Sequence, residues 1–182
     1  MTSGIDLGRP ASGDVIDLIS DDHRRFEQLL SQMRLGTVDR DAVRKAFAAV
    51  LVAHGEAEEE IVYPVLRKAA SDVDAHDVEH GREEHAEGND ALLVLLELKG
   101  TDTQAFSDAV EELSNLVAHH IAEEELSILE PARTEVSTKV RWDLGAKWAR
   151  RRNALIDEGC GSVENVRRVV AAAQREGLLQ DA

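Results

Sequence analysis

Six polar residues stand at positions where a helical reading of the chain calls for apolar side chains: His23, His54, Glu58, His85, His120 and Glu124. Burying an ionised carboxylate without a partner costs several kcal/mol. Two carboxylates on core-facing seams, with four imidazoles beside them, share one economical explanation, a polyvalent metal. Residues four apart lie one turn apart on one helix face. His54 with Glu58, and His120 with Glu124, therefore each present a nitrogen and an oxygen to one cavity, and His23 and His85 complete it from two further helices. Imidazole with carboxylate suits iron, manganese or zinc. Six ligands exceed what one tetrahedral zinc takes, so two ions with bridging carboxylates fit better. A lone core histidine is most often only hydrogen-bonded, and one His-x-x-x-Glu arises easily in an acidic helix. The weight lies in one set per helix, each at a core-facing position.

The elements that must position these residues follow from apolar periodicity near 3.6. Helix one starts at the cap Asp14, buries Ile16, Ile19, His23, Phe26, Leu30 and Met33, and ends before Gly36. Helix two runs from about Asp39 to Ala70, burying Val43, Phe47, Val50, Leu51, His54, Glu58, Ile61 and Val65; Pro64 must bend its last turns or end its regular part early. Helix three runs from about Asp74 to Gly100 with His85, Leu92, Leu95 and Leu96 on its seam. Helix four is capped by Thr101 or Thr103, carries Phe106, Val110, Leu113, Val117, His120 and Glu124, and is closed by Pro131. No strand pattern is present. The reading is all-α: an up-down-up-down four-helix bundle over residues 14–133. Residues 1–13 precede it as a flexible N-terminus. Residues 134–182 follow as a helical C-terminal extension, one segment near Val136 to Glu158 with Trp142, Trp148 and the run Arg150 to Arg152, the other near Val163 to Glu176 capped by Ser162.

Two registers compete in helix four. Leu51-Val52-Ala53-His54 is echoed by Leu116-Val117-Ala118-His119, which selects His119 with Glu123. The apolar pattern selects His120 with Glu124, because Leu113, Leu116 and Val117 stand seven, four and three residues before His120 as Phe47, Val50 and Leu51 do before His54. The apolar pattern is followed here. In helix three, His85 lies within about 20° of the Leu92 and Leu96 line, whereas His80 lies about 120° from Leu92. His85 is taken as the ligand, His80 as an outside candidate, and His76 as part of the solvated helix start.

The order histidine, His-x-x-x-Glu, histidine, His-x-x-x-Glu on four successive helices resembles the hemerythrin-like (HHE cation-binding) domain family. Asp22-His23-Arg24, Glu58-Glu59-Glu60 with Tyr63-Pro64, Glu83-Glu84-His85, and His119-His120-Ile121-Ala122-Glu123-Glu124-Glu125 match its flanking words. The resemblance covers residues 14–133. Ile128-Leu129-Glu130-Pro131 departs from the aromatic-proline ending that members often show. The resemblance implies an oxo- or carboxylate-bridged di-iron site, two Fe ions, that meets O2, H2O2 or NO. Three classes of function fit it: a gas binder or sensor, a redox enzyme handling peroxide or nitric oxide, and an iron-holding or structural bundle without redox catalysis. Histidine-rich ligation, as the resemblance implies, favours reversible gas binding over oxygen-activating hydroxylation, and the expectation is a di-iron protein that binds or handles dioxygen and reactive oxygen or nitrogen species, with catalysis left open. Tyr63, Trp142 and Trp148 read as packing residues.

Charge and composition exclude other classes. Of the 182 residues, 36 are Asp or Glu and 21 Lys or Arg, a net charge of −15. From Ala132 onward ten Lys and Arg face seven Asp and Glu, so the first 131 residues hold the acidic excess. Such a body repels nucleic-acid phosphates and anionic lipid. No segment reaches the roughly 18 apolar residues of a membrane span, and Met1 to Gly13 does not read as a signal peptide. The single Cys160 allows no internal disulfide. The expectation is a cytoplasmic monomer or homodimer whose partners are small molecules, with no nucleic acid and no membrane.

Overall fold

The computed structural model describes residues 4–179, and every regular element among them is helical. Residues 1–3 of the expected flexible N-terminus and the last three of the expected extension lie outside the described residues. Helix α1 (Val15–Leu35) starts where the Asp14 side chain accepts the Ile16 N–H at 3.1 Å. It stops at Gly36, whose φ of 63° is left-handed, a conformation costly for a residue with a Cβ. Helix α2 (Arg40–Ala57) is capped by Asp39, and α4 (Ala75–Glu97) by a reciprocal Asp74–Asp77 box. Thr103 caps α5 (Gln104–Glu124), Ser137 caps α7 (Thr138–Asp157) and Ser162 caps α8 (Val163–Glu176).

Two of these helices continue through a single wide turn. After α2, residues Glu58–Val62 form a π turn that leads into α3 (Tyr63–Ala69). After α5, Glu125–Leu129 do the same ahead of α6 (Glu130–Glu135). In each, the N–H five residues on closes the ring: Tyr63 to the Glu58 carbonyl, and Glu130 to the Glu125 carbonyl. The next residue is Pro64 or Pro131. A proline lacks the N–H for the α-helical bond and its ring crowds the carbonyl four residues back. The widened turn accommodates both defects without ending the rod. Pro131 therefore does not close helix four as the sequence suggested; the chain stays helical to Glu135.

The long helices pack in a ring, α1 on α2, α2 on α4, α4 on α5 and α5 on α1. Ile19, Phe26, Phe47, Val50, Leu92, Leu95, Phe106 and Leu113 fill the centre and are fully buried. Side chains of this size contribute about 1.5–3 kcal/mol each on burial. Helix α7 lies across α1 and α2, and α8 lies against α4. That cover explains a difference from the sequence reading: Val52 and Ala48, on the outward side of α2, are buried, while Leu51 is only half-buried. The stretch before α1 runs along α7. Arg152 donates to the Leu7 and Gly8 carbonyls, and Asn153 to that of Pro10. Among the described residues no helix is long and apolar enough to cross a membrane.

Candidate metal centre

His23 comes from α1, His54 from α2, Glu58 from the start of its π turn, His85 from α4, and His120 and Glu124 from α5. All six side chains are at most 7% exposed. Their donor atoms converge. His23 Nε2 lies 3.1 Å from Glu124 Oε2, His54 Nε2 3.2 Å from Glu58 Oε1, and His85 Nε2 3.3 Å from Glu58 Oε2. His120 Nε2 is 3.2 Å from His85 Nε2 and 3.7 Å from Glu124 Oε2. The donors form two overlapping groups that share His120: His23, His54, His120 and Glu124, and Glu58, His85 and His120. Glu58 faces both groups with one oxygen toward His54 and the other toward His85.

Several of these atoms are buried with no hydrogen-bond partner: His23 Nε2, His54 Nε2, both Glu58 oxygens and Glu124 Oε2. A buried polar atom left bare costs about 1–3 kcal/mol, more when charged. Five in one place mark donors arranged for something that accepts from all of them at once. A cation fits that demand.

The far nitrogen of every ring is tied to a carboxylate. His23 Nδ1 meets Glu125 Oε1 at 2.9 Å, His54 Nδ1 meets Asp22 Oδ2 at 3.3 Å, His85 Nδ1 meets Glu59 Oε1 at 2.9 Å and His120 Nδ1 meets Glu84 Oε2 at 3.0 Å. This fixes each ring with Nε2 pointing inward and raises its basicity, the arrangement that supports histidine ligands in metal proteins. Burial pushes the His23 and His85 rings toward neutrality, but the neighbouring carboxylates of Glu124 and Glu125, and of Glu58 and Glu59, outweigh it and raise both to about 10. His120, penalised by burial and by the neighbouring His85, is lowered. The Glu58 carboxyl is held well below its usual range, its burial outweighed by His54 and His85. The buried carboxylates demand positive charge, from protons on the rings or from a cation.

The register of α5 is plain in the placement of its side chains. His120 and Glu124 face the cluster; the His119 side chain is 63% exposed and Glu123 is half-buried outside it. The second wide turn begins after Glu124 and the first at Glu58, whose N–H still bonds the His54 carbonyl four residues back, so the wheel argument applies to both His-x-x-x-Glu pairs. His76 and His80 are not brought into the cluster.

Tyr63 and Arg152 have roles the sequence reading missed, while Trp148 packs as it expected. Tyr63 is not merely packing: its hydroxyl donates to Glu124 Oε1 at 2.8 Å and its ring stacks on His85 at 5.8 Å. Trp148 of α7 is fully buried with its ring edge-on to His54 at 5.8 Å. Arg152, also fully buried, grips Asp22 through two bonds of 2.5 and 2.8 Å, and Asp22 in turn holds His54. The helix outside the ring of four thus props a histidine at its centre. Beside His85 and His120 a cavity of about 20 Å³ is lined mainly by Leu51, Gly55, Gly88, Leu116 and Val117. That space suits one water-sized or diatomic molecule.

The hemerythrin HHE cation binding domain matches this chain over residues 14–132. A DNA nickase of Nostoc sp. is 25% identical over 131 residues, covering 69% of this chain. The chain spans 35% of that relative's length. No solved structure matches.

Proposed function

We propose, on the premise that this chain belongs to the hemerythrin HHE cation-binding domain family, that its cluster holds two iron ions. His23, His54, Glu58, His85, His120 and Glu124 are the ligands, carried by four helices running up-down-up-down. The protein uses this centre to bind or handle O2, H2O2 or NO. The observation that carries the reading is the pairing of inward, buried Nε2 and carboxylate donors, five of these atoms bare, with an outward carboxylate on every ring. Two overlapping donor groups, with Glu58 facing both, suit two ions better than one.

A bound iron pair supplies one-electron redox and affinity for small oxygen and nitrogen species. The chain's own residues supply the rest. Glu59, Glu84, Asp22 and Glu125 hold the rings in their ligating orientation. The Tyr63 hydroxyl oxygen lies 2.8 Å from Glu124 Oε1 and donates a hydrogen bond there, and burial with the two nearby carboxylates raises that phenol well above its usual range, so the proton stays on the phenol. Leu51, Leu116 and Val117 make the wall of the small cavity mostly apolar. The DNA cleavage named for the Nostoc relative is not carried over: this chain spans about a third of it, and a net charge of −15 opposes contact with phosphates.

The test is iron content by elemental analysis with spectra under air, peroxide and nitric oxide. About two irons per chain, near-ultraviolet absorption of the oxidised protein and spectral changes with one of the three molecules are expected. One zinc per chain and no iron after growth in iron-rich medium would overturn the reading.

A further inference from the structure

The two histidines that lie outside the central cluster, His80 on α4 and His119 on α5, meet over one oxygen. His119 Nε2 is 3.4 Å and His80 Nε2 3.5 Å from Glu84 Oε1, and the three donors lie within 4.8 Å of one another. The spacing of His80 and Glu84 puts both on one face of α4, and the packing of α4 on α5 brings His119 to them. The Glu84 side chain is only 6% exposed. Its Oε2 takes the His120 ring at 3.0 Å, while Oε1, buried and with no hydrogen-bond partner, points outward between the two imidazoles.

A plain ion pair would bring an imidazolium to about 2.7–2.9 Å from that oxygen. The observed 3.4 and 3.5 Å instead match the edge of a tetrahedron of ligands about 2.0–2.1 Å from zinc, which is roughly 3.3 Å. The His80 and His119 side chains are 43% and 63% exposed, so an ion can enter from solvent and keep one position for water. Glu83, with Oε2 3.7 Å from His80 Nδ1, adds negative charge nearby. The other exposed group of possible donors, Asp74, His76 and Asp77, lacks such an atom: both carboxylates are engaged in capping α4.

We propose that His80, Glu84 and His119 form a second, outer metal site that takes one divalent cation of the zinc class, with two nitrogens and one oxygen as protein ligands. It is separate from the central cluster but adjoins it, because Glu84 serves both: one oxygen orients His120 and the other would hold the outer ion.

The experiment uses the full chain loaded with iron, dialysed against zinc near neutral pH, with zinc and iron counted together. One zinc per chain above the iron content is expected. His119→Ala and His80→Ala should each weaken its binding about tenfold or more, with iron content unchanged, and His76→Ala should leave it in place. The proposal is overturned if no zinc is taken up, if either of the first two variants retains it, or if zinc appears only as iron is lost. Should the central cluster take no iron, the zinc lost with His119→Ala is still measured, so the outer site and the di-iron reading fail separately.

Discussion

Replacing Arg152 by alanine tests whether the helix outside the ring supports the centre within it. The guanidinium is fully buried and makes two short bonds to Asp22, whose side chain is 2% exposed, with two further bonds to the carbonyls of Leu7 and Gly8. Removing one partner of a buried pair strands the other charge, at a cost of about 3–5 kcal/mol. Arg25, 3.2 Å from Asp22 Oδ1, keeps part of the compensation, which places the loss near the lower end. For a chain of 182 residues, about 3 kcal/mol lowers the melting temperature by roughly 6–12 °C. Asp22, no longer clamped, also holds His54 less firmly, and metal affinity should fall about tenfold, the low end for a lost outer-shell support. Thermal melts with and without metal, and a competition titration with a chelator, measure both effects. Arg152→Lys should not restore the parent values, since an ammonium cannot make the two parallel bonds. A melting temperature within about 2 °C of the parent, or a lower one with unaltered metal affinity, would refute the link from α7 through Asp22 to His54.

Other outcomes follow from the same geometry. His120→Ala should lose iron and bleach the centre's spectrum, whereas His119→Ala, at an exposed position, should keep it; elemental analysis separates the two. Removing metal should lower the melting temperature, because metal at a hundred times its Kd stabilises by about 2.7 kcal/mol; equal melts of apo and loaded protein would contradict occupancy of the cluster. His23 and His85, raised to about 10, hold protons that ligation must displace, and His54 is raised as well, so metal uptake near pH 8 should release at least about two protons per chain, read by calorimetry in buffers of different ionisation enthalpy. With their pKa raised by folding, the stability the His23 and His85 rings lend the metal-free protein is full below about pH 6.5 and lost as pH rises to about 10. Gly161→Ala should cost about 1–3 kcal/mol, since the added Cβ would stand 2.4 Å from the Ala49 amide nitrogen where the turn before α8 crosses α2; Gly88→Ala, with nothing within 4 Å, should stabilise by about 0.5–1 kcal/mol in denaturant melts.

The ring of four helices was legible because its signals are local and repeated. Asp14, Asp39, Asp74 and Thr103 announce helix starts by side-chain chemistry alone. The wheel argument placed His120 toward the cluster against the literal echo of Leu-Val-Ala-His because a seam is set by the burial of Leu113 and Val117, not by the order of letters. What escaped the sequence is what depends on neighbours far along the chain. Nothing local marks Arg152 as the partner of Asp22, 130 residues away, or Tyr63 as a donor to Glu124. Arg150, Arg151 and Arg152 read alike, yet Arg150 is exposed, Arg151 pairs with Glu60 at the surface and Arg152 is buried. The distinction is the docking angle of α7, set where Gly145 lets the Gly13 carbonyl approach and Gly161 lets α2 approach. Pro131 misled for a related reason: a proline ends an ideal α-helix, but a turn one residue wider absorbs it.

The two wide turns also bear on how the centre is built. One begins at the cluster carboxylate Glu58 and the other directly after the cluster carboxylate Glu124, and each rotates the residues that follow relative to regular helix. After Glu58 the rotation brings Tyr63 under His85 and over Glu124, while Glu59 turns to the outer face of His85. After Glu124, Glu125 turns to His23. One triplet of glutamates thus supplies an inward carboxylate of the cluster and the support for an imidazole on another helix, and so does the second. A regular helix through Pro64 or Pro131 would lose one backbone bond and set the proline ring against the carbonyl four residues back. The acidic runs Glu58-Glu59-Glu60 and Glu123-Glu124-Glu125, which read on their own as solvated charge, are thus divided by backbone geometry into an inward oxygen donor, a clamp on a neighbouring imidazole, and a residue left to the surface or, as with Glu60, to Arg151.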